Sequence, residues 1–358
     1  MSQFFSGIGT ILSLELRQRV RGVAAWVLLG IFVILVAMVT GAVWIALAGF
    51  GPEAGAGAGI YSTIIYFVLL LGTLVTPALS GNAINGDRDA GTLATTQVTL
   101  ITTWQLILGK FLAAWITALA FLVAALPFLL LSLVSGDVYW DTILVSVVIL
   151  ALELAVVAAV GVGLSAIIQK PLFSIVTTYL VVATLSVGTL IAFGLGGLTT
   201  QTEMKSTYIG LDYPMDGSEP DPDTDCLPPE VTTYPVPRYD FWWPILSANP
   251  YVVLADASPS NFDSDGQPQD LFSIFKVGVR SVQLPPDLET TYDECSNYNT
   301  GYYDGSEYPS GEEIVAKTVP SWFVGLTIHV LLGAGLLVGG WARTRTPARL
   351  LTKGSRIA

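Results

Sequence analysis

Apolar residues in this chain occur in long runs separated by shorter polar stretches. Six of these runs approach or exceed the length of a membrane span, at about 24–48, 60–80, 108–134, 142–168, 172–197 and 320–341. An α-helix rises about 1.5 Å per residue, so roughly 20 apolar residues cross the ~30 Å hydrocarbon core of a bilayer. The pattern therefore predicts an all-α polytopic membrane protein with six transmembrane helices.

The first polar segment, residues 1–23, is amphipathic and contains Glu15, Arg17, Arg19 and Arg21. This pattern predicts an amphipathic elbow helix at the membrane surface. The apolar run that follows is too long for a cleaved signal peptide, so we expect the chain to keep its start.

A second polar segment, residues 198–319, separates the fifth and sixth runs and is rich in Asp, Glu, Pro, Tyr, Gly and Ser. Its length predicts a large, irregular α+β domain with few strands. The stretch 239–254, "YDFWWPILSANPYVVL", is its predicted apolar nucleus, and Phe272 and Phe275 are expected to pack on it.

Composition excludes an ordinary soluble globule, since 52% of the residues are hydrophobic and only 12% are charged. Of the 16 Lys and Arg residues, 11 fall on one side of a six-span arrangement, and the loops 49–59 and 135–141 on the other side contain none. Basic residues near span ends resist translocation. Both termini are therefore predicted to be cytoplasmic in a cell membrane, with 198–319 extracytoplasmic.

The basic tail, 342–358, carries five basic residues, which are expected to contact anionic membrane lipids, with contact to a cytoplasmic partner as the alternative. The predicted outer domain holds 21 of the 28 acidic residues, so the net charge of −12 arises there. This acidity does not indicate a nucleic-acid partner.

The two cysteines, Cys226 and Cys295, both lie in the predicted outer domain. An oxidising compartment permits a disulfide bond between them. Two free buried thiols are the alternative.

A charged stretch, "NGDRDAGTLATTQ" at 85–97, follows the second apolar run. With its continuation it resembles the segment after the second span of ABC-2 type transporter permeases. The matching residues are Asp87-Arg88-Asp89, Gly91-Thr92-Leu93, the turn Thr99-Leu100-Ile101-Thr102, Trp104 and Gly109-Lys110. Two departures are visible: aspartates replace the usual glutamates, and Leu100 occupies the position of a customary proline.

The resemblance implies that residues of about 85–97 form a coupling helix, which docks in a groove of a separate cytoplasmic ABC ATPase. Asp87 and Asp89 would face basic groups of that ATPase, Arg88 would face an acidic or backbone acceptor, and Gly91 would allow close backbone approach. Thr92 and Leu93 complete the predicted contact. The family also implies a second permease subunit, identical or homologous, with the transport path between the two halves.

The phosphate-binding loop G-x-x-x-x-G-K-[ST], which holds nucleotide phosphates in ATPases, does not occur in the sequence. The nearest string, "WQLILGKF", has Trp104 at the first glycine and Phe111 at the Ser or Thr. The chain is therefore predicted to be a non-catalytic subunit with no cofactor of its own, while the partner ATPase binds ATP and Mg.

Two ionisable residues lie within predicted spans, Glu153 in the fourth and His329 in the sixth. Such residues are costly in a bilayer and mark functional positions by default. Glu153 is either a residue of a substrate path or gate, or a protonated acid hydrogen-bonded between helices. An interhelical hydrogen bond is favoured for His329. One histidine is too few for a metalloenzyme or a hydrolase, so no metal site is predicted.

Small residues spaced four apart occur at Ala159 and Gly163 and at Gly335 and Gly339, a spacing that lets membrane helices approach closely. A generally Gly/Ala-rich composition is the alternative explanation. Faces of this kind are candidates for a dimer seam.

Two acidic strings, "DPDTDC" at 221–226 and "NFDSDGQPQDLF" at 261–272, partly match a calcium-binding loop. In the second, Phe272 stands where the bidentate Glu is needed. A solvated acidic loop is favoured, with calcium as the alternative.

Together these features predict a permease subunit of an ATP-driven exporter. Its substrate remains open among drug-like molecules, lipids, glycan precursors and peptides. One alternative is a membrane anchor, driven by an ABC ATPase, whose outer domain senses or assembles an extracytoplasmic partner. A secondary transporter or channel is disfavoured. That class of protein predicts several intramembrane charges and an internal repeat, and the sequence shows neither.

Overall fold

The structure is a computed structural model that describes residues 2–48, 56–93, 101–213, 225–300 and 309–345. Its described part is mostly helical and contains six helices long and apolar enough to cross a membrane, which confirms that prediction. The helices of this membrane body are α1 Ser2–Arg21, α2 Val23–Ala48, α3 Ala56–Ser80, α4 Asn85–Asp89, α5 Thr103–Val134, α6 Trp140–Ile167, α7 Pro171–Ala183, α8 Thr189–Thr199 and α14 Trp322–Thr344.

The first span is formed by α2, the second by α3 and its extension through α4, the third by α5 and the fourth by α6. In the fifth span, a π-helical segment at Thr184–Gly188 joins α7 to α8. The sixth span is α14. The third span begins earlier than the apolar run suggested, because Thr102 and Gln105 form a capping box that starts the helix at Thr103.

The fourth span is the central helix of the bundle, and it is packed closely by small residues. A side chain at Gly163 would meet Leu336 of α14, and a Cβ at Gly333 would lie 3.2 Å from Ala159. The predicted close packing through Ala159 and Gly163 is therefore present within the chain. Ala159 and Gly163 are buried within the chain, so they do not offer a dimer seam. Gly335 of the other pair is exposed, so a seam on that face of the sixth span stays a prediction.

The first and fifth spans lie at the periphery of the bundle. Only 17% of the most apolar window of the first span and 11% of that of the fifth are buried, compared with 61% for the second and 56% for the fourth. Their uncovered faces are apolar, so these two helices must meet lipid or another membrane protein.

The inserted domain, residues 200–321, has a small mixed sheet. Strand β1 Gln201–Ile209 lies between β2 Glu230–Pro237, which is antiparallel to it, and β3 Glu289–Asp293, which is parallel. The described residues of this domain also form a 3-10 turn at Tyr239–Phe241 and the short α-helices α9 Trp243–Leu246, α10 Pro250–Ala257, α11 Leu271–Ser281, α12 Glu294–Thr300 and α13 Gly311–Lys317. This agrees with the predicted α+β character.

Cys226 and Cys295 lie at disulfide-bonding distance, with Cα atoms 5.9 Å apart, so the predicted pairing is present. Cys226 forms an isolated β-bridge with Leu211, just after β1, and Cys295 lies in α12, just after β3. The pair therefore ties the ends of two neighbouring strands together.

The apolar stretch of the inserted domain is divided between two clusters, which corrects the expectation of one nucleus: Leu246 and Val252 pack with Val279 in a small buried cluster of their own. Val253 and Leu254 of α10 and Phe272 of α11 belong to the same buried core as the second, third and fourth spans. The ring of Tyr66, in the second span, lies 5.4 Å from that of Phe272 and 5.2 Å from that of Phe275. Helices α10 and α11 are thus part of the membrane body.

A buried carboxylate joins these two helices to the sixth span. Asp256 of α10 accepts a hydrogen bond from Arg280 Nε of α11 at 2.7 Å, and both side chains are buried. It also accepts bonds from the backbone N–H groups of Ser321, at 2.6 Å, and Trp322, at 3.0 Å, at the start of α14. Because Asp256 satisfies free N–H groups at a helix start, it fixes where the sixth span begins.

A second buried cation, Lys276 of α11, donates to the carbonyl of Ser258. Burial lowers the pKa of Lys276 from 10.5 to about 8, against a smaller opposing effect of Asp256. The unfolded chain therefore binds more protons than the folded chain between these two pH values.

Stability should accordingly rise with pH over this interval because of Lys276. The expected contribution is at most about 1.4 kcal/mol per pH unit between about pH 8 and 10. Thermal unfolding of the detergent-solubilised protein and of Lys276→Met over this range measures the difference. Lys317→Met removes an exposed lysine and serves as control. A difference between wild type and Lys276→Met that stays constant with pH would contradict the assignment.

Candidate functional site

The charged hairpin, residues 81–102, comprises α4 at the end of the second span and the connection to the third span, and it contains the whole predicted coupling segment, 85–97. Its described part comprises α4, a turn at Ala90 and Gly91, and the first helical residues Thr92 and Leu93. Residues 94–97 of the predicted coupling helix lie outside the described residues, as do Thr99 and Leu100 of the predicted turn. The basic residues of the tail beyond 345 and residues 221–224 of the first acidic string also lie outside them.

The base of the hairpin is anchored on the fourth span. The backbone N–H groups of Ile84 and Asn85 both donate to Ser165 Oγ, at 2.9 and 3.1 Å, and all three residues are fully buried. A buried N–H without a partner is costly, so the Ser165 hydroxyl fixes the hairpin's entry point. Ala83 and Leu93 pack against a second buried core that includes Ala158 and Val162 of α6.

A buried lysine connects the hairpin to two helices. Lys110 Nζ, on α5, lies 2.7 Å from Asp87 Oδ2 and also forms an ion pair with Glu15 of α1. The lysine side chain is only 2% exposed, against 17% for Glu15 and 31% for Asp87. We call Glu15, Asp87 and Lys110 the hairpin triad. It joins the amphipathic helix, the hairpin and the third span at one point.

Further contacts attach the same region to α1 and to the sixth span. Gln105 Nε2 donates to the carbonyls of Gln3 and Phe4 at 3.2 and 3.0 Å, and it is nearly buried. The indole of Trp104 stacks on that of Trp341, with ring centroids 5.3 Å apart. The aromatic position of the resemblance therefore packs on the sixth span.

The tip of the hairpin is exposed, at Asp89, Ala90, Gly91 and Thr92. Gly91 has a φ of 70°, a conformation that favours glycine, and no atom of the described residues lies within 4 Å of the position that a Cβ would take. This open space agrees with the close backbone approach expected there.

The three charged residues of the motif have different surroundings. Asp87 pairs with Lys110 of its own chain, whereas we expected it to face basic groups of a partner. Arg88 is half-buried and donates to Asn85 Oδ1 at 2.9 Å, inside the hairpin. Asp89 is the exposed member of the triplet. The sequence analysis did not identify Glu15 or Ser165 as residues of this site. The signal in the sequence that pointed to the triad was Lys110, in the Gly-Lys at the end of the motif.

The two intramembrane ionisable residues, Glu153 and His329, are partners. His329 Nδ1 lies 2.9 Å from Glu153 Oε1 and 3.0 Å from Oε2, and both side chains are buried. The predicted interhelical hydrogen bond of His329 is thus present between the sixth and fourth spans. A small cavity of ≈ 20 Å³ adjoins the pair, which is enough for about one water molecule.

The other ring nitrogen of His329 reaches the inserted domain. Nε2 lies 2.9 Å from the carbonyl oxygen of Ala248, between α9 and α10. Next to it, Asn249 Nδ2 donates to the carbonyl of Ser186 at 2.6 Å and to Thr189 Oγ1 at 2.9 Å in the fifth span. Ser186 lies in the π-helical segment, whose altered pairing leaves carbonyls free for such bonds.

These contacts show that the segment 242–249 descends between the fifth and sixth spans. Between α9 and α10, residues 247–249 leave the helical pattern, and backbone groups buried there need hydrogen-bond partners. Here His329 and Asn249 provide the hydrogen bonds, and Gly325 gives the space, because a side chain there would meet Ser247. We call 242–257 the re-entrant segment.

The acidic string 261–272 folds as a tight turn that satisfies its own groups. Asp263 Oδ1 accepts from the N–H groups of Asp265 and Gln267 at 2.9 and 2.8 Å, and Asn261 Nδ2 donates to Asp270 Oδ2 at 3.0 Å. Within the described ranges, no group of three or more His, Cys, Asp or Glu side chains gathers as a metal site would require.

Comparison with known proteins adds no relative: no family model matches the chain, and a search of curated proteins gives no match.

The hairpin triad should contribute to stability through its buried charges. Lys110→Met leaves two carboxylates without their cation, which is expected to cost about 3 kcal/mol or more. The triple variant Lys110→Met, Glu15→Gln, Asp87→Asn removes all three charges and should recover most of that loss. Thermal unfolding in detergent compares them, with the exposed Lys170→Met as control. Equal losses in the single and triple variants would rule out the triad as an ionic unit.

The Glu153–His329 link should hold the re-entrant segment in place. His329→Leu removes the partner of both Glu153 and the Ala248 carbonyl, so amide exchange in 242–257 should speed up markedly, while Glu153→Gln keeps an acceptor and should change it little. Hydrogen exchange followed by mass spectrometry of the intact chain tests this. If amide exchange in 242–257 is the same in His329→Leu as in wild type, the prediction that His329 holds this segment in place is wrong.

Proposed function

We propose that this chain is the transmembrane permease subunit of an ATP-driven ABC exporter, coupled to a separate cytoplasmic ATPase. Two lines support the proposal. The motif from Asp87 to Lys110 resembles the ABC-2 permease signature, and the sequence contains no phosphate-binding loop of its own. The observation that carries the proposal is that the hairpin has an exposed tip and a base bound to several helices.

A hairpin that receives force must be stiffly connected to what it moves. Its base is joined to the fourth span through Ser165, and to the third span and α1 through the hairpin triad. Trp104, beside it, stacks on the sixth span. A displacement at Asp89 to Thr92 would therefore be transmitted to α1 and to the third, fourth and sixth spans without unfolding any of these helices.

The exposed tip suits a surface that binds a partner and then exchanges conformations. Asp89 supplies a charge that no ion pair within the described residues neutralises, and such exposed charges set orientation and on-rate more than permanent affinity. Gly91 adds room for a close backbone approach. The partner groove would therefore present basic groups to Asp89, and Asp87 would act from within the chain.

The proposed assembly contains two permease subunits. The faces of the first and fifth spans are the least covered in the bundle, so a second copy or a homologue would pack there. In the proposed orientation, both termini and the charged hairpin are cytoplasmic and the inserted domain is outside, as the distribution of basic residues predicts.

Co-purification tests the coupling assignment. The detergent-solubilised chain, expressed in its native host, should bring a Walker-motif ATPase with it. Asp89→Arg reverses the charge of the exposed tip, so it should abolish that association while leaving thermal stability unchanged. Glu312→Arg, at an exposed site of the inserted domain, is the matched control.

Retention of the ATPase by the tip variant, or its loss in the Glu312→Arg control as well, would refute the tip as the docking site. An association lost only in variants that also unfold would refute it equally, because the proposal requires a folded chain that no longer binds.

A second candidate function is an anchor that transmits movement to an extracytoplasmic partner. It is favoured by the inserted domain, whose helices α10 and α11 belong to the core of the spans and would move with them. ATPase activity of the reconstituted complex in lipid nanodiscs separates the two functions. An exporter should be stimulated by compounds that it transports, whereas an anchor should respond only to its outer partner.

A further inference from the structure

A groove on the membrane body is not used by any of the contacts above. It has a volume of ≈ 310 Å³ and lies between α1, the first span, the end of the second span and the third span. Its walls are almost entirely apolar, formed by side chains such as Leu16, Trp26, Leu79, Ile116 and Ala120. This volume is at the lower end of the range for binding sites of small molecules.

One wall of the groove carries a cation. Arg19 donates to Thr117 Oγ1 and to the carbonyl of Leu79, both at a long 3.3 Å. Burial lowers the pKa of Arg19 from 12.5, but a guanidinium remains charged in proteins. The carboxylate that acts on it, Glu15, is already paired with Lys110. A positive charge thus lies at an apolar groove without an ion-pair partner among the described residues.

Aromatic and basic side chains around the groove are those expected at a membrane–water interface. Trp26 is 59% exposed and donates from its indole to the carbonyl of Val20 at 2.8 Å, as expected of an aromatic residue at the headgroup level. Arg17 and Arg21 are exposed on the same end of α1. The groove therefore combines an apolar floor with a cationic rim.

We infer that this groove binds one anionic phospholipid of the surrounding bilayer, with an acyl chain along its apolar walls and the phosphate beside Arg19. The apolar walls require a long hydrocarbon, and the unpaired guanidinium requires an anion. A bilayer supplies both in one molecule at the place where the groove opens. The bound lipid would fill the space between α1 and the spans and would fix the amphipathic helix on the bundle. This inference does not depend on the exporter proposal.

Native mass spectrometry of the intact chain tests the site. The protein is released from nanodiscs of equal parts phosphatidylglycerol and phosphatidylcholine, and the lipids that remain bound are identified. Wild type should retain one phosphatidylglycerol in preference to phosphatidylcholine. Arg19→Gln should lower this preference about fivefold, the effect of one basic side chain on anionic lipid binding. Ala120→Phe, at an exposed groove position, should reduce retention of both lipids.

Matched controls separate this site from general attraction to the surface. Arg17→Gln removes an exposed charge of the same helix, and Ala334→Phe enlarges an exposed alanine of the sixth span; both should retain lipid as wild type does. Equal effects of Arg17→Gln and Arg19→Gln would overturn the inference, as would unchanged lipid retention in Ala120→Phe. Displacement of the lipid by excess glycerol 3-phosphate would also overturn it, since a headgroup alone would then suffice.

Discussion

A charged side chain inside an apolar body is stable only where another group meets it, and this constraint organises the whole structure. Three groups of ion pairs among the described residues illustrate this constraint in different parts of the fold. Lys110 meets two carboxylates at the hairpin, Glu153 meets His329 in the middle of the spans, and Asp256 meets Arg280 at the start of the sixth span. Helices held by apolar packing alone can slide past one another. A buried ion pair forms in only one register, in which its attraction compensates the cost of burying the two charges. The pairs therefore fix how the helices stand against one another.

The fourth span brings these constraints together. Its Ser165 holds the base of the hairpin, and its Glu153 holds His329, which in turn meets the carbonyl of Ala248 in the re-entrant segment. Small residues let the sixth span approach it closely along the same face. The charged hairpin and the inserted domain are thus connected through one helix and its neighbour, although they lie at opposite ends of the bundle.

The length of the apolar runs and the polar stretches between them were enough to predict the six helices, because membrane thickness fixes the length of a span. The partners of the buried charges were beyond that reasoning, since Lys110 is 95 residues from Glu15 and Glu153 is 176 residues from His329. The re-entrant segment was misread for a different reason. An apolar stretch such as 239–254 looks the same whether it fills the core of a separate domain or enters the membrane body, and its contact with His329 is made by a backbone carbonyl, which leaves no signature in the sequence.

The buried links also indicate where movement is cheapest. The second, third, fourth and sixth spans are joined by the ion pairs and by the two buried cores, and the first span contributes Phe32 and Val36 to one of these cores. The first and fifth spans are mostly uncovered. The fifth contacts the re-entrant segment through the hydrogen bonds of Asn249 at the π-helical segment and through Trp242, whose Nε1 donates to Thr200 Oγ1 at 3.0 Å. It contacts the second span through Tyr179, whose hydroxyl donates to the carbonyl of Leu74 at 2.6 Å. In the proposed mechanism, a push on the hairpin would displace the four central spans relative to the less covered first and fifth spans, where the proposed partner subunit would sit and where a path between two subunits would open.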